Sequence, residues 1–296
     1  MDSKNKGLMI GILCYVLWGV LPAFWNLLSG VNPLLILCAR VVFAFIFMMC
    51  LLAVTGKMRL FWATFTDKNK MKYLVPSAVL IAFNWGLFIY AVNTGQIMYS
   101  SLGYYMNPLI AFLLGVIIFR EKYTALQLVA VGLAFTGLLV SIIAYGRVPI
   151  ISISLALSFG AYGVLKKKAN ADPNSGIAIE SLIITPFALI FAFAFMTDSM
   201  RVVSTTEWIL LVGGGIATAV PLVMYSRAVN DIPFITVGFL QYISPSLSLL
   251  YGLLVGIRPT ESQIVSFIFI GLGLIVFSIA LVRIAKKERL EQAQQT

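Results

Sequence analysis

Long apolar runs separated by short polar breaks dominate the chain from end to end. A helix that crosses the ~30 Å hydrocarbon core of a bilayer needs about 20 apolar residues, and a barrel strand needs about half as many. The runs have the longer length, so they predict membrane-spanning helices. Breaks at charges and at Pro, Gly and Asn clusters give ten spans, at approximately 8–28, 33–55, 73–93, 97–119, 124–145, 149–166, 177–196, 207–229, 234–256 and 262–284.

Composition narrows the class of protein further. Hydrophobic residues make up 60% of the 296 residues and charged residues only 11%, against about 25% charged in soluble domains. This excludes a soluble enzyme, and the net charge of +10 does not indicate a nucleic-acid partner because the basic residues lie in short breaks beside apolar spans. The chain has no His, and Cys14, Cys38 and Cys50 all lie in apolar runs. We therefore expect no catalytic set, no metal and no cofactor, and a lipid bilayer as the surroundings.

The distribution of Lys and Arg orients the spans. If the N-terminus is cytoplasmic, most of the 21 basic residues fall in cytoplasmic segments, and the outer loops carry only Arg147, Arg201 and Arg258. Cytoplasmic loops are enriched in Lys and Arg. The chain is therefore predicted to be a multi-pass protein of the plasma membrane with both termini in the cytoplasm.

The two halves of the chain resemble each other. Five spans per half is an odd number, so the second half must enter the membrane upside down, and inverted repeats are typical of secondary transporters. We expect a first repeat at 1–146, a second repeat at 147–285 and a polar cytoplasmic tail at 286–296. At one constant offset without gaps, the matched residues are Ala91-Val92-Asn93 with Ala228-Val229-Asn230, Tyr105 with Tyr242, Pro108 with Pro245, Leu113 with Leu250 and Gly115 with Gly252. At a second offset, three residues longer, they are Pro33 with Pro173 and Arg40 with Glu180.

The match of Arg40 with Glu180 places a charged residue within a span of each half. Arg40 lies about seven residues inside its span, roughly 10 Å deep at 1.5 Å per residue. Charged groups at such depth usually face a bundle interior or water. Arg40 is therefore either an anchor for an anionic group or a snorkelling side chain that pins helix ends. Glu180 lies nearer the end of its span, so it is either a coupling site or a wet interfacial carboxylate.

Polar and aromatic side chains at mid-span suggest a shared pocket. Opposing polar faces on the fourth and ninth spans would suit a site between the halves, although such residues also serve as bonds between helices. Proline at mid-span kinks a helix and frees a backbone carbonyl. The candidate substrate contacts are Trp18, Arg40, Asn84, Trp85, Tyr104, Asn107, Tyr162, Gln241, Ser244 and Ser248, and the candidate kinks or gates are Pro22, Pro108 and Pro245.

Several runs resemble a known family. They are Asn84-Trp85-Gly86-Leu87-Phe88-Ile89-Tyr90-Ala91-Val92-Asn93, Ser101-Leu102-Gly103-Tyr104-Tyr105-Met106-Asn107-Pro108-Leu109, Ser158-Phe159-Gly160-Ala161-Tyr162-Gly163-Val164-Leu165-Lys166 and Gly238-Phe239-Leu240-Gln241-Tyr242-Ile243-Ser244-Pro245. The chain is similar to the RarD family of EamA-type permeases, in the drug/metabolite transporter superfamily. The resemblance implies two inverted five-helix repeats in a bacterial inner membrane, a central cavity lined by spans 1, 3, 4, 6, 8 and 9, and export of small organic solutes.

These observations predict an all-α membrane protein that moves amino-acid-like metabolites or drugs by alternating access, and not an enzyme. A lipid flippase or scramblase of the same fold is the alternative. Proton coupling, exchange and uniport all remain compatible with the residues. Monomer and homodimer are both compatible with the glycines of the fifth and tenth spans, which suit either internal packing or an interface: Gly132, Gly137, Gly271 and Gly273.

Overall fold

The computed structural model describes residues 3–94, 96–146, 150–254 and 260–293, and regular structure within these ranges is helical throughout. Arg147 and Arg258, two of the three basic residues predicted in outer loops, lie outside them. The helices are α1 (Ser3–Asn26), α2 (Pro33–Val54), α3 (Met58–Thr66), α4 (Lys68–Asn93), α5 (Ile97–Phe119), α6 (Ala125–Tyr145), α7 (Ile150–Ala169), α8 (Pro173–Phe195), α9 (Thr197–Arg201), α10 (Thr205–Asp231), α11 (Phe234–Leu240), α12 (Ile243–Leu254) and α13 (Glu261–Ala293).

The predicted number of membrane spans is confirmed. Among the residues that the structure describes, ten segments are long and apolar enough to cross a bilayer, with α11 and α12 together forming the ninth. Two short helices, α3 and α9, lie between spans and were not predicted. The last span is longer than expected, because α13 continues as a helix through the predicted polar tail to Ala293.

Local sequence signals explain where several spans begin. Pro33 and Pro173 start α2 and α8, each after a capping side chain: Asn32 accepts a hydrogen bond from the backbone of Leu34, and Asp172 accepts one from Ser175. Proline suits the first helical position because its missing N–H has no partner there anyway. Reciprocal capping boxes begin two other helices, Thr124 with Gln127 at α6 and Ser204 with Glu207 at α10.

Helices of the first half pack mainly on helices of the second. The main pairs are α1 with α10 and α12, α7 with α4 and α5, α2 with α8 and α10, α5 with α11, and α6 with α13. Large apolar side chains cover the outer surface, and Phe187, Ile190 and Phe193 of α8 each expose more than half of their area. Such a surface is costly in water and suits hydrocarbon.

One end of the bundle collects charge, and we call it the basic end. It is the end at which α1 and α8 begin and α2 and α10 finish, because Ile10, Lys57, Asp172 and Arg227 line the same crevice there. We call the other end, where α1 finishes and α10 begins, the far end.

Two of the four glycines in α6 and α13 serve internal packing. A Cβ on Gly137 would lie 2.8 Å from the carbonyl oxygen of Ser266, and one on Gly273 would lie 3.0 Å from that of Ala130. Both close approaches join α6 to α13. Gly132 and Gly271 have no neighbour within 4 Å of such a Cβ.

Candidate substrate-binding site

Five aromatic rings from three helices meet at the centre of the bundle. Tyr15 and Trp18 come from α1, Phe159 and Tyr162 from α7, and Tyr225 from α10. Tyr225 contacts all four others, with centroid distances of 6.5 Å to Tyr15, 5.7 Å to Trp18, 5.4 Å to Phe159 and 5.9 Å to Tyr162. The structure thus brings the predicted residues Trp18 and Tyr162 into one aromatic cluster, which we define by these five rings.

The aromatic cluster also contains polar groups that lack a close partner. The hydroxyl oxygen of Tyr225 is buried without a hydrogen bond to any described residue, and that of Tyr15 is buried with only the side chain of Gln241, among these residues, near enough to bond weakly. A buried hydroxyl without a partner costs free energy. These two groups are therefore suited to bond with a bound solute or water. The sequence offered one signal for Tyr225: in the register that matches Ala91 with Ala228, it corresponds to the aromatic residue Phe88.

Glu180 is buried beneath the aromatic cluster, with an exposed fraction of 3%. Its Oε1 accepts a hydrogen bond from Ser77 at 2.5 Å and lies 3.0 Å from Lys166 Nζ, and its Oε2 accepts one from Tyr162 at 3.1 Å. The alternative of a wet interfacial carboxylate is therefore wrong. Because α8 starts at Pro173 and packs along α4, its second turn lies inside the bundle.

Arg40 lies between two tryptophan rings. Its guanidinium carbon is 5.0 Å from the ring centroid of Trp25 and 4.5 Å from that of Trp85, and its Nε donates to Thr218 Oγ1 at 3.0 Å. The hydroxyl of Tyr104 is close enough to interact electrostatically with the guanidinium. Two further predicted residues, Trp85 and Tyr104, are thus brought to Arg40, while Trp25 was missed because it lies at the end of its span.

A small cavity lies beside Glu180. Trp85, Glu180 and Ser181 line it together with apolar residues of α2, α4, α8 and α10, and it has room for about one water molecule. Trp85, which also contacts Arg40, therefore connects the surroundings of the two charged groups.

Other predicted residues bond helices together. Asn84 donates to the carbonyl oxygen of Leu155 and to the hydroxyl of Ser158, which joins α4 to α7. Ser248 donates to the carbonyl oxygen of Gly19, which joins α12 to α1. These contacts agree with the alternative that such residues bond helices to each other.

The polar face of α5 changes in exposure along its length. Tyr104 exposes 47% of its surface and Asn107 only 7%, and the Asn107 Oδ1 is buried without a described partner. The fourth span, α5, packs on the ninth span mainly through α11, while α12 packs mainly on α1. Gln241 is buried at the junction of α11 and α12, and Ser244 is half-buried beside it.

The three predicted kink prolines differ in position. Pro22 and Pro108 lie inside the continuous helices α1 and α5. Pro245 falls in the first turn of α12, and the ninth span is interrupted at Gln241 and Tyr242, one turn before it. Proline is tolerated there because the first-turn N–H groups have no partner within the helix.

The basic end is closed by a polar network around Glu121, which the sequence did not single out. Its carboxylate accepts hydrogen bonds from the backbone N–H groups of Phe234 and Ile235, at 2.7 and 2.9 Å. Lys167 Nζ lies 3.5 Å from the same carboxylate and donates to the carbonyl oxygen of Ile232 at 2.7 Å. The loop after α5 is thereby tied to α7 and to the start of α11. The position that matches Glu121 in the second half is Arg258.

Glu121→Ala should loosen the start of α11. Two hydrogen bonds to a charged acceptor are lost, so we expect amide hydrogen exchange over Phe234–Leu240 to accelerate roughly tenfold to a hundredfold in hydrogen–deuterium exchange mass spectrometry. Asp198→Ala is the matched control, because Asp198 is exposed and its one ion pair with a described residue is with exposed Arg201. Unchanged exchange in Glu121→Ala would show that the network does not hold α11 in place.

Comparison with known proteins identifies the family. The model of the EamA-like transporter family matches the chain twice, over residues 5–143 and 148–279. The chain belongs to this family. This EamA-family protein is 35% identical over 286 residues to an uncharacterized transporter, YojE, of Bacillus subtilis, covering 95% of this chain and 96% of that one. It is likewise 35% identical over 283 residues to Protein RarD of Escherichia coli, covering 94% and 96%.

Further comparisons agree with the family and the fold. A more distant relative, the chloramphenicol-sensitive protein RarD of Pseudomonas aeruginosa, is 26% identical over 259 residues, covering 86% of this chain and 87% of that one. A solved structure titled "Crystal structure of protein" superposes with a TM-score of 0.72 at 15% identity, covering 92% of this chain and 97% of that one. The EamA-family chain is therefore a multi-pass membrane transporter related to RarD.

Proposed function

We propose that this protein is a secondary transporter that exports small organic solutes, such as amino-acid-like metabolites or drugs, across the bacterial inner membrane. The observation that carries the proposal is that Arg40 and Glu180, the charged groups at matching positions, each bond across the two halves. Arg40 of the first half bonds Thr218 of the second, and Glu180 of the second half bonds Ser77 of the first. A movement between the halves would therefore change the surroundings of both charges.

We further propose that residues 1–146 and 147–285 are inverted repeats. Two findings support this. The family model matches each half separately, and the helix pairs come in matched sets: α1 packs on α10 as α7 packs on α4, and α12 packs on α1 as α5 packs on α7. Such pairing is what a pseudo-two-fold axis in the membrane plane requires, with the solute near the midplane.

We assign the basic end to the cytoplasm, which puts both termini there, in line with the positive-inside rule. The Glu121 network closes this end, whereas α12 buries none of its side chains and Tyr104 is exposed toward the far end. We propose that this conformation faces outward. Opening of the basic end and closing of the far end would then complete the transport cycle.

Counterflow into proteoliposomes tests the function. Purified protein is reconstituted with one unlabelled solute inside and the same solute, radiolabelled, outside. The set comprises leucine, phenylacetate, phenylacetamide, phenethylamine and chloramphenicol. We expect protein-dependent counterflow for at least one of them. Absence of counterflow for all five, together with movement of a fluorescent lipid between leaflets, would instead favour the scramblase alternative.

Trp18→Ala should reduce counterflow about tenfold without preventing membrane insertion. Trp18 lies in the aromatic cluster, and loss of one such ring contact removes on the order of 1 kcal/mol or more. Trp62→Ala is the matched control, since Trp62 is 55% exposed on α3 and should leave the rate unchanged. Equal rates in the two variants would place solute binding elsewhere.

A further inference from the structure

Arg40 and Glu180 hold matching positions in the two halves, but only one of them has a counterion. The Glu180 carboxylate has Lys166 Nζ at 3.0 Å, supplied by the end of α7. The corresponding end of α1 supplies Trp25 and Asn26, neither of which is charged. Within the described part of the chain, no carboxylate lies within 4 Å of Arg40.

The hydrogen-bonding capacity of Arg40 is largely unused. A guanidinium carries five N–H donors in a planar fork, and the described contacts use only the Nε donor, which bonds Thr218. The guanidinium carbon lies over the rings of both Trp25 and Trp85. The described hydrogen bonds leave open the edge formed by the two terminal nitrogens, and this edge matches the two oxygens of a carboxylate.

The position of Arg40 makes an unpaired state costly. It lies roughly 10 Å into its span, where a charged group requires a partner or water. The side chain is only partly buried, so a solute can reach it, and Tyr104 beside it is exposed. An anion that arrived from the far end would meet the guanidinium group of Arg40 next to two aromatic rings.

We infer that Arg40 binds the carboxylate of the transported solute, and that the substrate class is small organic acids with an apolar group beside the carboxylate. The inference rests on the proposed transport function. It follows from the missing counterion, the open edge of the guanidinium, and the flanking rings of Trp25 and Trp85. A free ammonium group on the solute is not required, because the oxygens of Glu180 are already occupied by Lys166, Ser77 and Tyr162.

Thermal unfolding of the purified protein with and without added solutes tests the inference. The detergent is dodecyl maltoside, which contains no phosphate group that could itself bind Arg40. Phenylacetate and 4-methylpentanoate should raise the Tm with increasing concentration, and phenylacetamide and 4-methylpentanamide should not, since a ligand that binds the folded state stabilises it. Arg40→Gln should weaken carboxylate binding roughly tenfold to a hundredfold, and Arg40→Lys should recover only part of it. Arg201→Gln, which alters a side chain that is 81% exposed, should bind like the parent protein.

The outcomes separate this inference from the proposed function. Equal stabilisation by acids and amides, no stabilisation by either acid, or undiminished acid binding in Arg40→Gln would overturn the inference. If phosphatidylglycerol stabilised the protein through Arg40 and the acids had no effect, Arg40 would bind a lipid headgroup. That result would also overturn the inference. If the inference failed in any of these ways, counterflow of leucine, phenethylamine or chloramphenicol would still support the proposed transport function.

Discussion

Glu180→Gln should be among the most destabilising single substitutions in this protein. It leaves the charged Lys166 ammonium buried, with an exposed side-chain fraction of 2% and no other carboxylate partner among the described residues. Removing one partner of a buried ion pair costs about 3–5 kcal/mol, mainly because the remaining charge is uncompensated. We expect a clear fall in the Tm in detergent, together with loss of transport, because Ser77 and Tyr162 also lose their charged acceptor.

Two further variants make this prediction specific. Glu180→Gln combined with Lys166→Met should recover most of the lost stability, since a buried pair can often be replaced by uncharged residues at little cost. Asp198→Asn, in an exposed pair with Arg201, should leave the Tm unchanged. If the single and double variants of the buried pair were equally destabilised, the two charges would not be coupled as the structure indicates.

Gly215→Ala should separate α2 from α10. A Cβ on Gly215 would overlap the carbonyl carbon of Phe43 and would lie 2.7 Å from the backbone nitrogen of Ala44. Backbone atoms cannot move aside as a side chain can, so the helices must shift, and overpacking of this kind costs about 1–3 kcal/mol or more. Thr218, which holds Arg40, lies one turn along the same helix, so transport should fall as well.

The neighbouring glycine provides a close control. A Cβ on Gly213 would have its nearest neighbour at 3.7 Å, an ordinary contact with Phe24. Gly213→Ala should therefore be neutral or slightly stabilising, since Ala is favoured over Gly in a helix interior by roughly 1 kcal/mol. The measurement is the Tm of both variants in the same detergent. Equal Tm values would mean that α2 and α10 do not approach as closely as the structure shows.

The spans were predictable because each depends on local signals. The apolar lengths and the prolines Pro33 and Pro173 after capping residues are properties of short segments, so the sequence defines them directly. Only Pro245 signalled the interruption at Gln241 and Tyr242, because hydropathy continues through it. The helix α3 was missed because a nine-residue helix is too short to form a span.

The site was only partly predictable. Arg40 and Glu180 stood out because charges are rare in spans, but their partners come from distant parts of the chain and could not be assigned from spacing. Asn84 and Ser158 each looked able to face a pocket, and only the packing of α4 on α7 shows that they bond to each other. Glu121 was missed because its partners are backbone N–H groups, which no sequence pattern reveals.

The central claim is that solute passes only when the basic end opens. A Cβ on Gly115 of α5 would lie 2.8 Å from Cγ1 of Ile235 on α11, so Gly115→Cys and Ile235→Cys should form a disulfide there once Cys14, Cys38 and Cys50 are replaced by Ala. Counterflow should stop on oxidation and return on reduction, while Gly115→Ser with Ile235→Ser responds to neither. Undiminished counterflow in protein whose disulfide is verified by mass spectrometry would contradict alternating access through this end.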